Sequence, residues 1–245
     1  SHQHSYEILS AGSRLGYQVC VIAAALVGGW VIRRDSEAWD LPQRQRWSIM
    51  IAAFAGAMIG CAIPAYYAGG LVEDMAWSVP IGPKTVLGGV LGAFLLVALF
   101  KRLTKNHADT SDAFARGTIA MMAIGRIGCI MQHCCYGTPA SWGIDLGDGI
   151  RRVPVQYFEA IGLFAIVALI MHLHRRNLYP GRRLFIIFSI YGALRFGLEF
   201  QREQIASVFL GIGFYQWLAL TVMVVGIAQI AKRTFYPYHS AESNG

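Results

Sequence analysis

Charge is what this sequence has least of. Only 14% of its 245 residues are Asp, Glu, Lys or Arg, where an ordinary soluble domain carries about 25%. Hydrophobic residues make up 55%, and the mean hydropathy is +0.45. That balance excludes an ordinary water-soluble enzyme. Cysteines are few as well: Cys20, Cys61, Cys129, Cys134 and Cys135 form an odd set without paired spacings. No disulfide framework is implied and no redox compartment is assigned. A single basic stripe is also lacking. The net charge of +7 is spread over short clusters between long apolar runs, which argues against nucleic acid as a partner and for the loop anchors of a membrane protein. Residues 1–7 are polar, carry His2 and His4 and lack Met, so no cleavable signal peptide is visible and the first apolar run is expected to insert as an anchor.

A transmembrane helix takes about 20 mostly apolar residues, and the chain offers about seven such runs, near residues 16–32, 47–67, 85–100, 113–131, 155–172, 184–200 and 208–231. They consume the length. The expectation is an all-α integral membrane protein with about seven transmembrane helices, forming one membrane domain over residues 1–245. An outer N-terminal arm is expected at 1–15, a short outer loop at 133–153 and a cytoplasmic tail at 232–245. No internal repeat is evident. Arg33, Arg34, Arg44 and Arg46, then Lys101, Arg102 and Lys105, then Arg175, Arg176, Arg182 and Arg183, and finally Lys232 and Arg233 fall in alternate loops. Positive residues in short loops stay cytoplasmic, so the N-terminus is expected outside and the C-terminus in the cytoplasm.

An arginine at membrane depth must face a protein interior or a wet cavity, and it usually marks function. Arg126, in Ile124-Gly125-Arg126-Ile127-Gly128-Cys129, and Arg195, in Tyr191-Gly192-Ala193-Leu194-Arg195-Phe196-Gly197, both qualify, each toward the outer end of its span. Arg116 lies within a turn of a cytoplasmic end and can snorkel. Two buried guanidinium groups describe an anion site, and the abundant anion of a bilayer is lipid phosphate. The plain alternative pairs Arg195 with Glu199 one turn on and Arg126 with Glu159, leaving buried salt bridges without chemistry. Gly125, Gly128, Gly192 and Gly197 would admit a headgroup beside the arginines, or equally a neighbouring helix. The stretch Leu87-Gly88-Gly89-Val90-Leu91-Gly92 offers the same choice. In Pro154-Val155-Gln156-Tyr157-Phe158-Glu159, Gln156 and Glu159 share one helix face, and Pro154 suits a first turn.

His133-Cys134-Cys135 follows the fourth run directly. A structural zinc site wants about four ligands with spaced thiols, and no second cluster exists, so no metal is expected. A reactive thiol, a vicinal disulfide and a tight turn at the lip of a cavity all remain open for the two cysteines.

In order, these pieces resemble the prolipoprotein diacylglyceryl transferases, bacterial membrane enzymes that move a diacylglyceryl group from phosphatidylglycerol to a lipobox cysteine thiol. The resemblance rests on Leu87 to Gly92, on Gly125-Arg126-Ile127-Gly128 closing on Tyr136-Gly137, on Pro154 to Glu159, and on Tyr191-Gly192 with Arg195, Glu199, Phe200 and Arg202. It implies a seven-span fold in the bacterial cytoplasmic membrane, with a site opening to the outer leaflet. Phosphatidylglycerol or another anionic phospholipid would be one partner and a lipoprotein precursor the other. No cofactor is implied. Arg126, Arg195, Glu159, Glu199 and His133 would be the catalytic residues. Gly88, Gly89, Gly125, Gly128, Gln156, Tyr157, Tyr191, Arg202, Cys134 and Cys135 would contact substrate.

Three departures stand out. The family usually has His immediately before Gly-Gly, and Leu87 stands there. Cys129 replaces the family's Asn after the Gly-Arg-x-Gly signature, and Cys134-Cys135 replaces its Gly-Glu pair. The outer loop between Gly137 and Pro154 is short. If the reaction needs a base, His133, Glu159 and Glu199 are the candidates; a thiol acceptor is already partly ionised near neutral pH. The competing expectations are a noncatalytic lipid-binding or lipid-translocating protein that lost its chemistry with Leu87, and a thiol redox membrane protein using Cys134 and Cys135.

Overall fold

The computed structural model describes residues 2–69, 86–132, 137–145, 149–202 and 207–235. Among them run seven long helices: α1 (His2–Asp35), α2 (Gln43–Gly69), α3 (Val86–Leu103), α4 (Ser111–Met131), α5 (Val155–Arg175), α6 (Arg183–Glu199) and α7 (Phe214–Phe235). Six are long and apolar enough to cross a membrane. The exception is α6, which has 17 residues and carries Arg195 and Glu199. The protein is thus an all-α membrane protein, with two small additions that periodicity does not announce. The hairpin β1 (Pro139–Asp145) and β2 (Arg151–Arg152) is antiparallel, as is β3 (Ser207–Phe209) with β4 (Ile212–Gly213).

Two boundaries differ from expectation. Helix α1 begins at His2, so the residues expected as an N-terminal arm are helical. The last span was expected from residue 208, yet α7 starts at Phe214 because the apolar stretch before it makes a tight turn. Leu210 and Gly211 both take positive φ, 53° and 72°, the geometry of a two-residue hairpin turn that fits right-handed strand twist.

Helices in a bilayer gain little from excluding water, so they associate by close backbone approach and by polar contacts. Three pairs use the first device. A Cβ placed on Gly60 of α2 would lie 2.1 Å from the Gly88 carbonyl oxygen of α3, and one on Gly92 would lie 2.2 Å from the Gly56 oxygen. In the α1–α4 pair a Cβ on Gly117 would lie 2.6 Å from the Gly28 oxygen, and in the α6–α7 pair one on Gly192 would lie 2.7 Å from the Met223 nitrogen. The main core forms where α3 to α7 converge. Leu87, Ile119, Leu163, Phe185, Phe188, Tyr191 and Val222 are buried there together, and Phe94, Phe185 and Phe188 stack edge to face at 5.7 to 5.8 Å between ring centroids.

One end of the bundle is laced by side chains. Arg116 of α4 is held bidentately by Asp35 at the end of α1, which gives the arginine near the helix end a fixed partner. Arg183 donates to the Leu178 carbonyl at 3.0 Å and the Asn177 side chain at 3.0 Å and lies 3.2 Å from Asp112. Arg233 bonds Asp109 and the Gly181 carbonyl and caps the Phe185 ring at 4.7 Å.

Candidate active site

At the other end of the bundle, α4, α5 and α6 are joined by charge. Helical spacing sets Gln156 and Glu159 on the buried face of α5, and Tyr191, Arg195 and Glu199 on the buried face of α6, while Arg126 faces inward from α4. Glu159 is fully enclosed. Its Oε1 accepts from Arg126 Nη2 and from the Tyr191 hydroxyl at 2.7 Å, and its Oε2 accepts from Arg195 Nη1 at 2.9 Å. Arg195 continues to Glu199, whose Oε2 lies 3.1 Å from Nη2, and the same oxygen lies 3.6 Å from Arg202 Nη1. The result is one alternating chain, Arg126, Glu159, Arg195, Glu199, Arg202. Among the described residues it holds three cations and two anions. Every member is less than a tenth exposed, so these charges are weakly screened by water.

The backbone beside it is tied down. Gly137 pairs with Arg202 in an isolated bridge, its N–H donates to the Val153 carbonyl, and Thr138 N–H donates to the Gln201 carbonyl. A Cβ on Gly137 would lie 2.4 Å from that Val153 oxygen and 2.9 Å from the Gln201 oxygen. Only glycine permits the exit from α4, the entry to α5 and the end of α6 to meet so closely.

The plain alternative of paired charges is realised in its geometry, but the two pairs are fused. Arg126 and Arg195 do converge, on one carboxylate. Gln156 joins the same face, 1% exposed, and neither its amide oxygen nor its amide nitrogen has a hydrogen-bond partner among the described residues. A buried unpartnered amide costs about 1–3 kcal/mol, a cost that a ligand with donors and acceptors would remove. Tyr157 points elsewhere, at 36% exposure. Gly89 belongs to helix packing, since its Cβ would meet Cys61 Sγ at 2.6 Å, and Gly88 has its carbonyl against Gly60. Gly128 meets Cys20 and Tyr17 of α1. Among the described residues, Cβ atoms on Gly125 and Gly197 would meet nothing within 4 Å; Gly197 lies on the exposed face of α6, turned away from Arg195. His133, Cys134 and Cys135 lie outside the described residues. No group of three or more metal-ligating side chains occurs among the described residues.

Leu87, at the position where the resemblance expects His, is 2% exposed and packs in the same apolar core as Tyr191. Sequence reasoning missed the fusion of the two ion pairs through Glu159 and the bridge between Gly137 and Arg202. Spacing along one helix gives i, i+4 partners, whereas these contacts join residues far apart in the chain.

A multi-helix membrane protein with a buried arginine and glutamate chain at one end is the class these features define. A family model described as prolipoprotein diacylglyceryl transferase matches residues 13–232, and the chain belongs to that family of membrane enzymes. It is 30% identical over 217 residues to the phosphatidylglycerol–prolipoprotein diacylglyceryl transferase of Cupriavidus pinatubonensis, covering 82% of this chain and 75% of that protein. The protein of the same name from Streptococcus agalactiae is 28% identical over 240 residues, covering 89% and 90%. That of Aromatoleum aromaticum is 26% identical over 225 residues, covering 84% of each.

Proposed function

We propose that this chain transfers a diacylglyceryl group from phosphatidylglycerol to the cysteine thiol of a prolipoprotein, at the outer face of a bacterial inner membrane. The observation that carries this reading is the buried chain from Arg126 to Arg202, with three guanidinium groups gathered at one end of the bundle. A planar guanidinium fork matches a phosphate diester bidentately, and the open space at Gly125 supplies an approach. The side-chain amide of Gln156 supplies donors and an acceptor for the hydroxyls of a glycerol headgroup.

In the reaction, the acceptor sulfur bonds to the glycerol carbon that bears the phosphate. The carbon–oxygen bond breaks and its electron pair leaves with glycerol phosphate, while the thiol proton passes to a base or to water. Arg126 and Arg195 hold the donor phosphate and stabilise the charge that gathers on the leaving group, the kind of fixed electrostatic help that is usually the largest catalytic contribution. Leu87 takes no proton. Both oxygens of Glu159 are committed, whereas Oε1 of Glu199 accepts no hydrogen bond among the described residues, so Glu199 is the acid with room for a proton. A thiol with a pKa near 8.5 also ionises without help.

The experiment is incubation of the purified chain in phosphatidylglycerol vesicles with a lipobox peptide, followed by mass analysis of the peptide and of released glycerol phosphate. A diacylglyceryl adduct with equimolar glycerol phosphate is the expected result. Bound phosphatidylglycerol with no adduct would overturn transfer and favour the noncatalytic lipid-binding reading, which the apolar burial of Leu87 supports.

A further inference from the structure

A cavity lies at the end of the bundle away from the Arg–Glu chain, lined by none of that chain's residues. It measures about 590 Å³ and opens between the first turns of α2 and the last turn of α3 with the loop that follows. Arg126 is about 22 Å further along α4 from Ser111, which follows that loop. Arg44, Lys105 and His107 line it, with the polar groups of Ser48 and Asn106. Arg44, Lys105 and His107 have no carboxylate partner among the described residues, while the nearby Asp109 is taken by Arg233. Two cations, Arg44 and Lys105, thus line the cavity with no carboxylate partner among the described residues.

Its rim is fastened from within. Asn106 N–H donates to the Lys101 carbonyl at 2.8 Å, Ala108 N–H donates to the Asn106 side chain at 3.0 Å, and Lys101 Nζ reaches the Ala108 carbonyl. The Lys101 charge is thus directed into the loop, and Lys105, in the left-handed region at φ 52°, is left to the cavity. Asn106 also reaches Gln45 at 3.5 Å across the opening. Below the cavity the two helices present bare hydrocarbon: Ile51 and Phe54 on α2 and Leu99 and Leu103 on α3 are each half or more exposed. Trp47, in the first turns of α2, lies under the Arg33 guanidinium, 5.7 Å from its ring centroid, the placement of a membrane-interface anchor.

We propose that this cavity binds the phosphate of an anionic phospholipid headgroup in the leaflet opposite the transfer site. Cations gathered at a membrane surface above exposed apolar helix faces fit a ligand with a phosphate at one end and acyl chains at the other. A free phosphate offers the first feature without the second.

The test uses the full chain in phosphatidylcholine nanodiscs with and without phosphatidic acid. Native mass spectrometry counts the retained lipids, and a photoreactive phenylalanine analogue at Ser48 reports on this site alone. Phosphatidic acid is expected to crosslink at Ser48 in preference to phosphatidylcholine. R44Q/K105Q is expected to retain one fewer phosphatidic acid, with affinity there reduced roughly 30-fold for two lost cationic contacts, and R44K/K105R to keep it. Because the crosslink leaves every charge in place, it stands even if R44Q/K105Q fails to fold. Equal crosslinking of the two lipids overturns the proposal. So does equal retention by folded R44Q/K105Q, or displacement of the lipid by inorganic phosphate at matched concentration.

Discussion

The α2–α3 pair and the α4–α5–α6 trio are both built from apolar helices, yet they cohere by opposite means. In the pair only 17% of each apolar stretch is buried, against 44% and 39% in α4 and α5. The pair is joined where glycines let two backbones touch; the trio is joined where one carboxylate receives two guanidinium groups and a tyrosine. Backbone contact is short-ranged and indifferent to charge, so it gives rigidity and nothing to react with. Ion pairs in a dry interior cost desolvation and give back little net stability. Their retention at the meeting point of three helices is better explained by what they bind.

The largest effect should come from breaking the trio at its centre. Glu159→Gln leaves Arg126 and Arg195 facing each other without their shared anion, and removing one partner of a buried ion pair costs about 3–5 kcal/mol. Thermal unfolding in detergent should show a collapse of the folded fraction, and a parental midpoint would erase the contrast between the two regions. Breaking the pair should cost less. Gly60→Val puts a branched Cβ 2.1 Å from a backbone oxygen, overpacking on the scale of about 1–3 kcal/mol. The same melt should shift downward, while transfer per folded molecule stays at the parental value.

Two smaller perturbations sharpen the comparison within the trio. Arg195→Lys keeps the charge but not the fork that spans Glu159 and Glu199, so folding should survive and phosphatidylglycerol binding should weaken roughly tenfold, about one charged hydrogen bond. Lipid titration by fluorescence would measure it, and unchanged affinity would count against phosphate binding there. Gly125→Ala meets nothing among the described residues, so the stability should be unchanged or raised by up to about 1 kcal/mol as helical glycine is replaced. Transfer should fall all the same, because the methyl group takes space assigned to substrate. Loss of stability in step with activity would show that space to be structural.

Much of this was legible in the chain itself. Long apolar runs placed α2 to α6 to within about four residues at each end, and the rule against idle intramembrane charge singled out Arg126 and Arg195. Helical spacing put Gln156 on the face of Glu159. Glycine did not declare its role: Gly89, Gly128 and Gly192 separate neighbouring helices by nothing but hydrogen, while Gly125 and Gly197 border open space, and the local sequence is Gly beside an apolar residue in both cases. The start of α7 was misplaced because hydropathy is blind to the left-handed turn at Leu210 and Gly211. The clip between Gly137 and Arg202 depends on where three chain segments end in space, which no window of sequence contains.

The short length of α6 has a mechanical consequence. Seventeen residues rise about 26 Å, a few ångströms less than a hydrocarbon core of about 30 Å. A bilayer meeting so short a wall relieves the mismatch by dimpling, at a fraction of a kcal/mol per ångström. Arg195 and Glu199 lie in the last turns of that wall. The membrane itself would then sag toward the arginine chain, bringing headgroups down to the protein and sparing a lipid part of the climb out of its leaflet.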